Sequence, residues 1–376
     1  MSRLRPYLWP AVIIVLAATM YVIRVQHEMV DFKVYRTAAA RAIAGEPLYR
    51  PDDGHYQFKY LPAFAFAMAP LAGLDEEAAK VVWFAMSLGL LSALVRWAVR
   101  SLPERRRSER TLVWLTILLM GKFYAHELNL GQTNILLGTI LVGALLAAQV
   151  DLRPASGVLV AVGIFVKPYA VVLLPWLALA AGPPGLAAAG GVLLVGLAIP
   201  AAVYGWSGNL DLLAGWYRTV TETSAPNLLQ PENISFAAMW TKWIGSGETA
   251  TVLAAASGLA VLGLAVAVML RRRRLYDPSY LEFGLLMLLV PLLSPQGWDY
   301  VLLLATPAII CLVDRLPEMA RPWRAATIAA MAVMSFTIFD LVGRALYTWL
   351  MAISVVSVCA CVLAGALGYL RWKELA

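Results

Sequence analysis

Residues 249–274 read TATVLAAASGLAVLGLAVAVMLRRRR. The run from Thr249 to Leu270 carries no charge and is long enough to cross a bilayer as one helix, which takes about 20 apolar residues. Four arginines, Arg271 to Arg274, then stop it. Cations clustered at the end of an apolar run mark the cytoplasmic side of a span. This stretch decides the fold class. Apolar segments of the same kind recur at about 8–24, 79–98, 111–126, 133–149, 155–167, 169–181, 186–204, 281–294, 299–313, 323–341 and 346–369. The expectation is an all-α polytopic integral membrane protein with about twelve transmembrane helices, forming a single domain over residues 1–376. The first segment, after Arg3 and Arg5, reads as an uncleaved signal-anchor.

Composition agrees. The chain is 61% hydrophobic and 14% charged, with a mean hydropathy of +0.73. A soluble domain has roughly 25% charged residues, so a soluble enzyme, a disordered chain and a collagen-like chain are excluded. The net charge of +7 sits in short clusters between apolar runs, a pattern of membrane topology and not of a nucleic-acid-binding face. Cys311, Cys359 and Cys361 lie inside apolar segments and read as packing residues. No metal-ligand spacing links the histidines His27, His55 and His126, of which His27 and His55 read as exposed loop residues; no metal and no cofactor are expected. Asn233-Ile-Ser235 matches a glycosylation sequon and is given no weight.

With the N-terminus cytoplasmic and every segment crossing, the cytoplasmic ends collect Arg3, Arg5, Arg96, Arg100, Arg105, Arg106, Arg107, Arg110, Arg153, Arg271 to Arg274, Arg315, Arg321, Arg324, Arg371 and Lys373, more than half of the 30 basic residues. Both termini are then cytoplasmic. The short run 61–74, bounded by Pro62 and Pro70, reads as an interfacial or re-entrant helix, since a further crossing would put Arg105 to Arg107 outside. The polar motifs then fall on the other side: the first outer loop 25–78, the segment from His126 to Asn134, the break Lys167-Pro168-Tyr169, the loop 205–248, and the segment from Ser294 to Tyr300.

In the first outer loop, Phe32, Tyr35, Ala39 and Ile43 recur near helical spacing, which predicts an interfacial helix over 31–43 ended by Gly45. Asp31 has two readings. As the residue before the helix it is an N-cap; as a carboxylate at the lipid–water boundary, with its pKa raised by partial desolvation, it is a general base.

Taken in order, Asp31-Phe32-x-Val34-Tyr35, Gly45-x-x-Leu48-Tyr49, Phe58-x-Tyr60-x-Pro62, Pro70-Leu71, Gly131-Gln132-x-Asn134, Lys167-Pro168 and Ser294-Pro295-x-x-Trp298 resemble glycosyltransferase family 87 of the GT-C superfamily. The resemblance spans most of the chain. It implies a GT-C-type membrane glycosyltransferase of the cell envelope that moves a sugar, mannose above all, from a polyprenyl-phosphate carrier to a glycolipid or polysaccharide acceptor on the extracytoplasmic face of the plasma membrane. It places the catalytic base at Asp31. Relatives include transferases for polyprenyl-phosphate-arabinofuranose, an alternative donor. One departure stands out: where relatives carry histidines after the Ser-Pro-x-x-Trp motif, this chain has Tyr300 and Val301, so Asp299, Tyr300 or His126 must take over.

The chemistry sets the remaining expectations. Phosphate is a good leaving group and needs cations or hydrogen-bond donors as it departs. Candidates are Lys167, Lys59, His126, Lys122 and Arg218, with Lys122 and His126 on one helical face. Gln132, Asn134, Trp298, Asp299, Tyr300, Tyr35 and Arg36 are candidates for sugar or acceptor contacts. Each has a plainer reading: headgroup contact for Lys167, Arg36 and Arg218, helix-end capping for Gln132, Asn134 and Asp299, and an interfacial anchor for Trp298. A different class, a transporter or flippase of a lipid-linked substrate, would place ionisable groups at mid-membrane within paired repeats. Here the charges sit at segment ends.

Overall fold

The structure, a computed structural model, describes residues 15–272 and 277–373. Arg3, Arg5, the start of the first apolar segment, Arg273 and Arg274 lie outside them. The described residues form helices joined by short turns. They contain no strand, only an isolated antiparallel bridge between Asn233 and Trp298.

The elements that position the site are α1 (Val30–Ala44), α2 (Pro62–Ala67), α3 (Glu76–Arg100), α4 (Glu109–Leu130), α5 (Asn134–Gln149), α6 (Arg153–Val166), α7 (Gly182–Ala198), α8 (Ala201–Glu222), α9 (Glu248–Leu270), α10 (Ser279–Leu293), α11 (Thr306–Arg315), α12 (Arg321–Phe336) and α13 (Val355–Lys373). Local chemistry starts them. The Asp75 carboxylate accepts from the backbone N–H of Glu77 and Ala78 at the head of α3, and the Ser108 hydroxyl accepts from Thr111 N at the head of α4, satisfying donors that have no partner inside the helix. Helices α6 and α7 approach closely because both faces are glycine: a Cβ on Gly157 would lie 1.9 Å from the Gly185 carbonyl oxygen. In lipid, such backbone approach supplies much of the helix-packing energy.

Among the described residues, four helical stretches are long and apolar enough to cross a membrane: Glu76–Arg100, Glu248–Leu270, Asp299–Glu318 and Val355–Lys373. The pair Gly182–Ala198 and Ala201–Asn227, bent by 92°, makes a fifth if counted as one span. This falls short of the expected twelve. Several expected spans are short apolar helices instead, among them Asn134–Gln149, Arg153–Val166, Pro168–Ala180 and Ser279–Leu293. A 14-residue helix is about 21 Å long, less than the roughly 30 Å hydrocarbon core. Apolarity marks where a helix avoids water; it does not mark where Lys167-Pro168 or Ser294-Pro295 ends it. The run 61–74 divides into α2 and a short turn of helix, Ala69–Ala72. The expected loop 205–248 is largely helical, since α8 and the helix Phe236–Ile244 fill it. Asn233 in its remaining turn is fully buried and donates to the carbonyls of Asn227 and Pro295, so the sequon is a structural knot.

The bundle has two polar ends. At one, the Asp314 carboxylate, near the end of α11, accepts from the backbone N–H of Arg106 (3.1 Å) and Arg107 (2.8 Å), and Glu282 on α10 lies between Arg272 (3.7 Å) and Arg371 (3.6 Å). The other end, reached by the opposite termini of α3, α10 and the Asp299–Glu318 stretch, gathers α1, the turn after α4 and the break after α6.

Candidate active site

The site is built on a turn. Helix α4 stops at Gly131, whose φ of 68° is left-handed. A Cβ there would come within 2.8 Å of Phe32 Cβ, so only glycine lets the turn press against α1. The Trp83 indole N–H donates to the Gly131 carbonyl (3.0 Å), and Met29 N donates to Asn129 O (3.0 Å). The first bond ties α3 to the turn, and the second ties the head of α1 to the end of α4. Glu127, fully buried in the last turn of α4, reaches across it. Its carboxylate accepts from Asn134 N, from Ile135 N (3.1 Å) and from Asn134 Nδ2 (2.8 Å). A carboxylate from the preceding helix thus caps the N-terminus of α5, where negative charge is favoured.

The turn presents Gln132 to four other segments. Its Oε1 accepts from Tyr35 Oη (2.9 Å), Tyr60 Oη (3.2 Å) and Lys167 Nζ (3.0 Å), and its Nε2 donates to Tyr300 Oη (3.3 Å). The Tyr35 and Tyr60 hydroxyls also meet at 2.6 Å. Lys167 Nζ lies 5.5 Å from the Tyr60 ring centroid and 5.8 Å from that of Tyr169, a cation–π arrangement. The Tyr169 hydroxyl donates to Asn134 Oδ1. An amide oxygen has two lone pairs. Three donors, one of them cationic, therefore exceed what Gln132 can accept at full strength.

Asp31 lies beside this hub. It sits in the first turn of α1, not before it: the N-cap residue is Met29 (φ 22°, ψ 39°), and no side chain caps the helix. The capping reading is therefore corrected, although a carboxylate in the first turn still suits the helix dipole. Asp31 is half-buried, and among the described residues no ion pair within 4 Å holds it. Burial pushes its carboxyl above the usual aspartate range, while the Gln132 amide and the charges of Lys167, Lys59 and His55 pull the other way. Burial lowers the Lys59 ammonium below its ordinary value, and the Asp31 charge offsets part of that. Along α1, Phe32, Tyr35 and Ala39 are buried as the periodicity predicts, but Ile43 is exposed and Ala38 and Ala42 pack in its place. Gly45, with φ 68°, terminates the helix.

A second knot lies next to the first. Asp299 is buried and faces Lys122 Nζ (3.6 Å) and His126 Nδ1 (3.2 Å), so both residues of the i, i+4 pair reach one carboxylate. Lys122 also donates to the carbonyls of Met334 (3.3 Å) and Thr337 (3.0 Å) at the end of α12. The His126 ring meets Tyr300 edge-on at 5.1 Å, joining this knot to the Gln132 hub. Trp298 is half-buried and held by the bridge to Asn233. Arg36 donates to Leu74 O (2.5 Å). Arg218 is exposed on α8 and, among the described residues, its guanidinium makes no hydrogen bond or ion pair.

Three members of this arrangement carry no role in the sequence reading: Tyr60, Tyr169 and Glu127. The alternation Phe58-x-Tyr60 was a signal for the first. An acid at the end of an apolar helix, seven residues before Asn134, was a signal for Glu127, since a buried carboxylate requires partners. No grouping of three His, Cys, Asp or Glu side chains able to hold a metal ion occurs among the described residues.

These features define a helical membrane protein with a half-buried carboxylate facing a cluster of cations and hydroxyl donors. Residues 58–295 match the family model of glycosyltransferase family 87, and the chain belongs to that family; it is a membrane glycosyltransferase. The matched range contains Lys59, Lys122, His126, Gln132, Asn134, Lys167 and Arg218, while Asp31 precedes it and Trp298, Asp299 and Tyr300 follow it. A search of curated proteins finds no match.

Proposed function

We propose that the protein transfers a sugar, mannose first among candidates, from a polyprenyl-phosphate carrier to a hydroxyl of a glycolipid or polysaccharide on the extracytoplasmic face of the plasma membrane. The observation that carries this reading is the pairing of a half-buried Asp31 with the converging donors Lys167, Tyr35 and Tyr60. The acceptor oxygen attacks the anomeric carbon and Asp31 takes its proton. The bond from that carbon to the phosphate oxygen breaks, and the polyprenyl phosphate leaves with the electron pair. Lys167 and the two tyrosine hydroxyls face the charge that develops on the phosphate, the kind of preorganised stabilisation that contributes most when water is excluded. Lys59 supplies a second cation near Asp31, and Gln132 holds the donors in place. Asn134, held by Glu127 and Tyr169, acts through Gln132 by fixing the turn. Asp299 with Lys122 and His126 braces Tyr300, in the place where relatives carry histidines. Trp298, Arg36 and Arg218 are assigned to the rim.

The test is incubation of the reconstituted protein with radiolabelled polyprenyl-phosphate mannose and polyprenyl-phosphate arabinofuranose, one at a time, with membrane glycolipid as acceptor. A labelled glycoside with one donor, absent with Asp31→Asn, is the expected result. Movement of label across the bilayer without a glycosidic product would instead assign the protein to transport.

A further inference from the structure

Helix α7 is uncharged from Gly182 to Ala198, and the chain then turns by 92° into the stretch Ala201–Asn227. Gly205, with φ 69° and ψ 172°, interrupts the helical backbone, so the regular part of α8 begins at Trp206. From there to Glu222 it is about 25 Å long, and it carries Asp211, Arg218 and Glu222. Charges spread along its length exclude it as a continuation of a span. A helix at right angles to one that runs into the bilayer lies along the membrane plane.

The residues of α8 divide into three edges at helical spacing. Asn209, Leu212, Trp216 and Thr219 face the protein. There Asn209 Nδ2 donates to Leu197 O (2.9 Å) and Trp216 Nε1 donates to Lys59 O (3.2 Å). Ser207, Asp211, Arg218 and Glu222 form an exposed polar edge. The third edge is apolar: Trp206, Leu210 and Tyr217 are 72%, 66% and 63% exposed. Val195, Ile199 and Val203, each four residues on from the last, are exposed as well and lead from α7 to this edge. Water would leave the third edge hydrated at a cost, and a crossing would strand Asp211 and Glu222 in hydrocarbon. A helix lying in the interface, with its apolar edge in lipid and its polar edge in water, avoids both. Tryptophan and tyrosine are also the side chains that favour that boundary.

We propose that α8 is seated in the lipid surface at the Gln132 end of the bundle by Trp206, Leu210 and Tyr217, and that this seat fixes the depth of the Gln132 cluster in the membrane. Direct contacts make the link. Gly215 packs on Tyr49, where a Cβ would lie 3.0 Å from Tyr49 Cδ2. Tyr49 Oη donates to Tyr60 O (2.7 Å), and the Tyr60 hydroxyl is one of the donors on Gln132. Just past α8, the hydroxyls of Thr223 and Ser224 accept from Gln296 Nε2 (both 3.2 Å), which ties the helix to the segment from Ser294 to Tyr300. The positioning role rests on the transferase reading above: the phosphate of a lipid carrier lies at headgroup depth, and the seat brings the donors to the height of the bond that breaks.

Spin labels read the depth directly. The full chain, with Cys311→Ala, Cys359→Ala and Cys361→Ala, is placed in nanodiscs of phosphatidylethanolamine and phosphatidylglycerol. Labels at Leu210→Cys and Tyr217→Cys should collide with oxygen and lie about 5–10 Å into the headgroup–acyl boundary. A label at Asp211→Cys should meet a water-soluble nickel complex instead. Labels at both 210 and 211 equally open to the nickel complex overturn the seat. So does a label at 210 that neither reagent reaches and that couples to a second label, which would make the edge an interface between two copies of this chain. Should the alanine background fail to fold, Leu210→p-benzoylphenylalanine in the cysteine-containing chain should photo-crosslink phospholipid, and Asp211→p-benzoylphenylalanine should not; no lipid adduct at 210 overturns the seat. The positioning role has its own readout. Leu210→Ser with Tyr217→Ser should lower kcat/KM for a long-chain polyprenyl-phosphate sugar in bilayers by about tenfold, as a small misplacement of reacting groups does, and leave that for a water-soluble short-chain donor within about twofold. An equal fall for both donors, or no fall, overturns the positioning role. Absence of transfer in the wild type overturns the transferase reading and leaves the depth measurement standing.

Discussion

At the arginine-rich end of the bundle, the buried Asp314 is closed by two backbone N–H groups and the buried Glu282 lies between two guanidinium groups. At the opposite end, Asp31 is half-buried, has no ion pair within 4 Å among the described residues, and faces cations that bond elsewhere, as Lys167 does to Gln132. Both ends place carboxylates near helix ends. One end uses them up in holding short loops to helix ends; the other keeps one in reserve beside a surplus of donors. The carboxylate without an ion pair is the one open to the proposed proton transfer, in keeping with the clustering of perturbed pKa values at functional sites.

Mutations should separate the two ends. Asp31→Asn carries the largest expected effect: a fall in transfer of about 10²–10⁴-fold, the usual contribution of a positioned base, with a thermal midpoint at or above that of the wild type, because a desolvated charge has been removed. Equal activity in Asp31→Asn would erase the contrast. On the proposed role, the same carboxylate sets the pH profile. A base works deprotonated and burial raises the Asp31 pKa, so the acid limb of kcat/KM should lie above the ordinary aspartate value of about 3.9 and disappear in Asp31→Asn; a limb at the ordinary value would contradict the desolvated setting. At the other end, Glu282→Gln should lower stability by about 3 kcal/mol, as expected when a buried ionic partner is removed, and leave the specific activity of the folded fraction unchanged. A selective loss of activity there would show that the ends are coupled. Smaller still, Lys167→Gln should weaken donor use by about 10–100-fold, the range for one charge-assisted hydrogen bond, read as donor KM and kcat at constant acceptor. Arg218→Ala should change either by less than twofold; a larger drop would move the donor site toward α8.

Much of the polar cluster around Gln132 and Asp299 could be read from residue type and order, and some of it could not. Lys167 stands out because an ammonium interrupts an apolar stretch, and Gln132 and Asn134 because two amides follow a glycine at the start of another. Asp299 also stands out, but its partners do not: Lys122 and His126 lie more than 170 residues earlier, and only the packing of α4 against the Asp299–Glu318 stretch brings them to it. The Asp31 capping reading fails for a local reason. Helix α1 starts two residues sooner than that reading requires, with Met29 and not Asp31 as its N-cap, and Met29 N bonds to Asn129 O at the end of α4.

The sequence by itself determined that the chain is helical and membrane-embedded, and that its basic residues and its polar motifs are segregated between apolar runs. These properties follow from side-chain transfer into lipid, which is nearly additive along the chain. Tertiary structure decided which helices are long enough to cross a membrane, that Gln132 gathers Tyr35, Tyr60, Lys167 and Tyr300, and that a cavity opens between α1 and the segment 51–58. Those outcomes depend on where proline and glycine turn the backbone and on which distant side chains satisfy a buried polar atom, and neither is a property of any one segment.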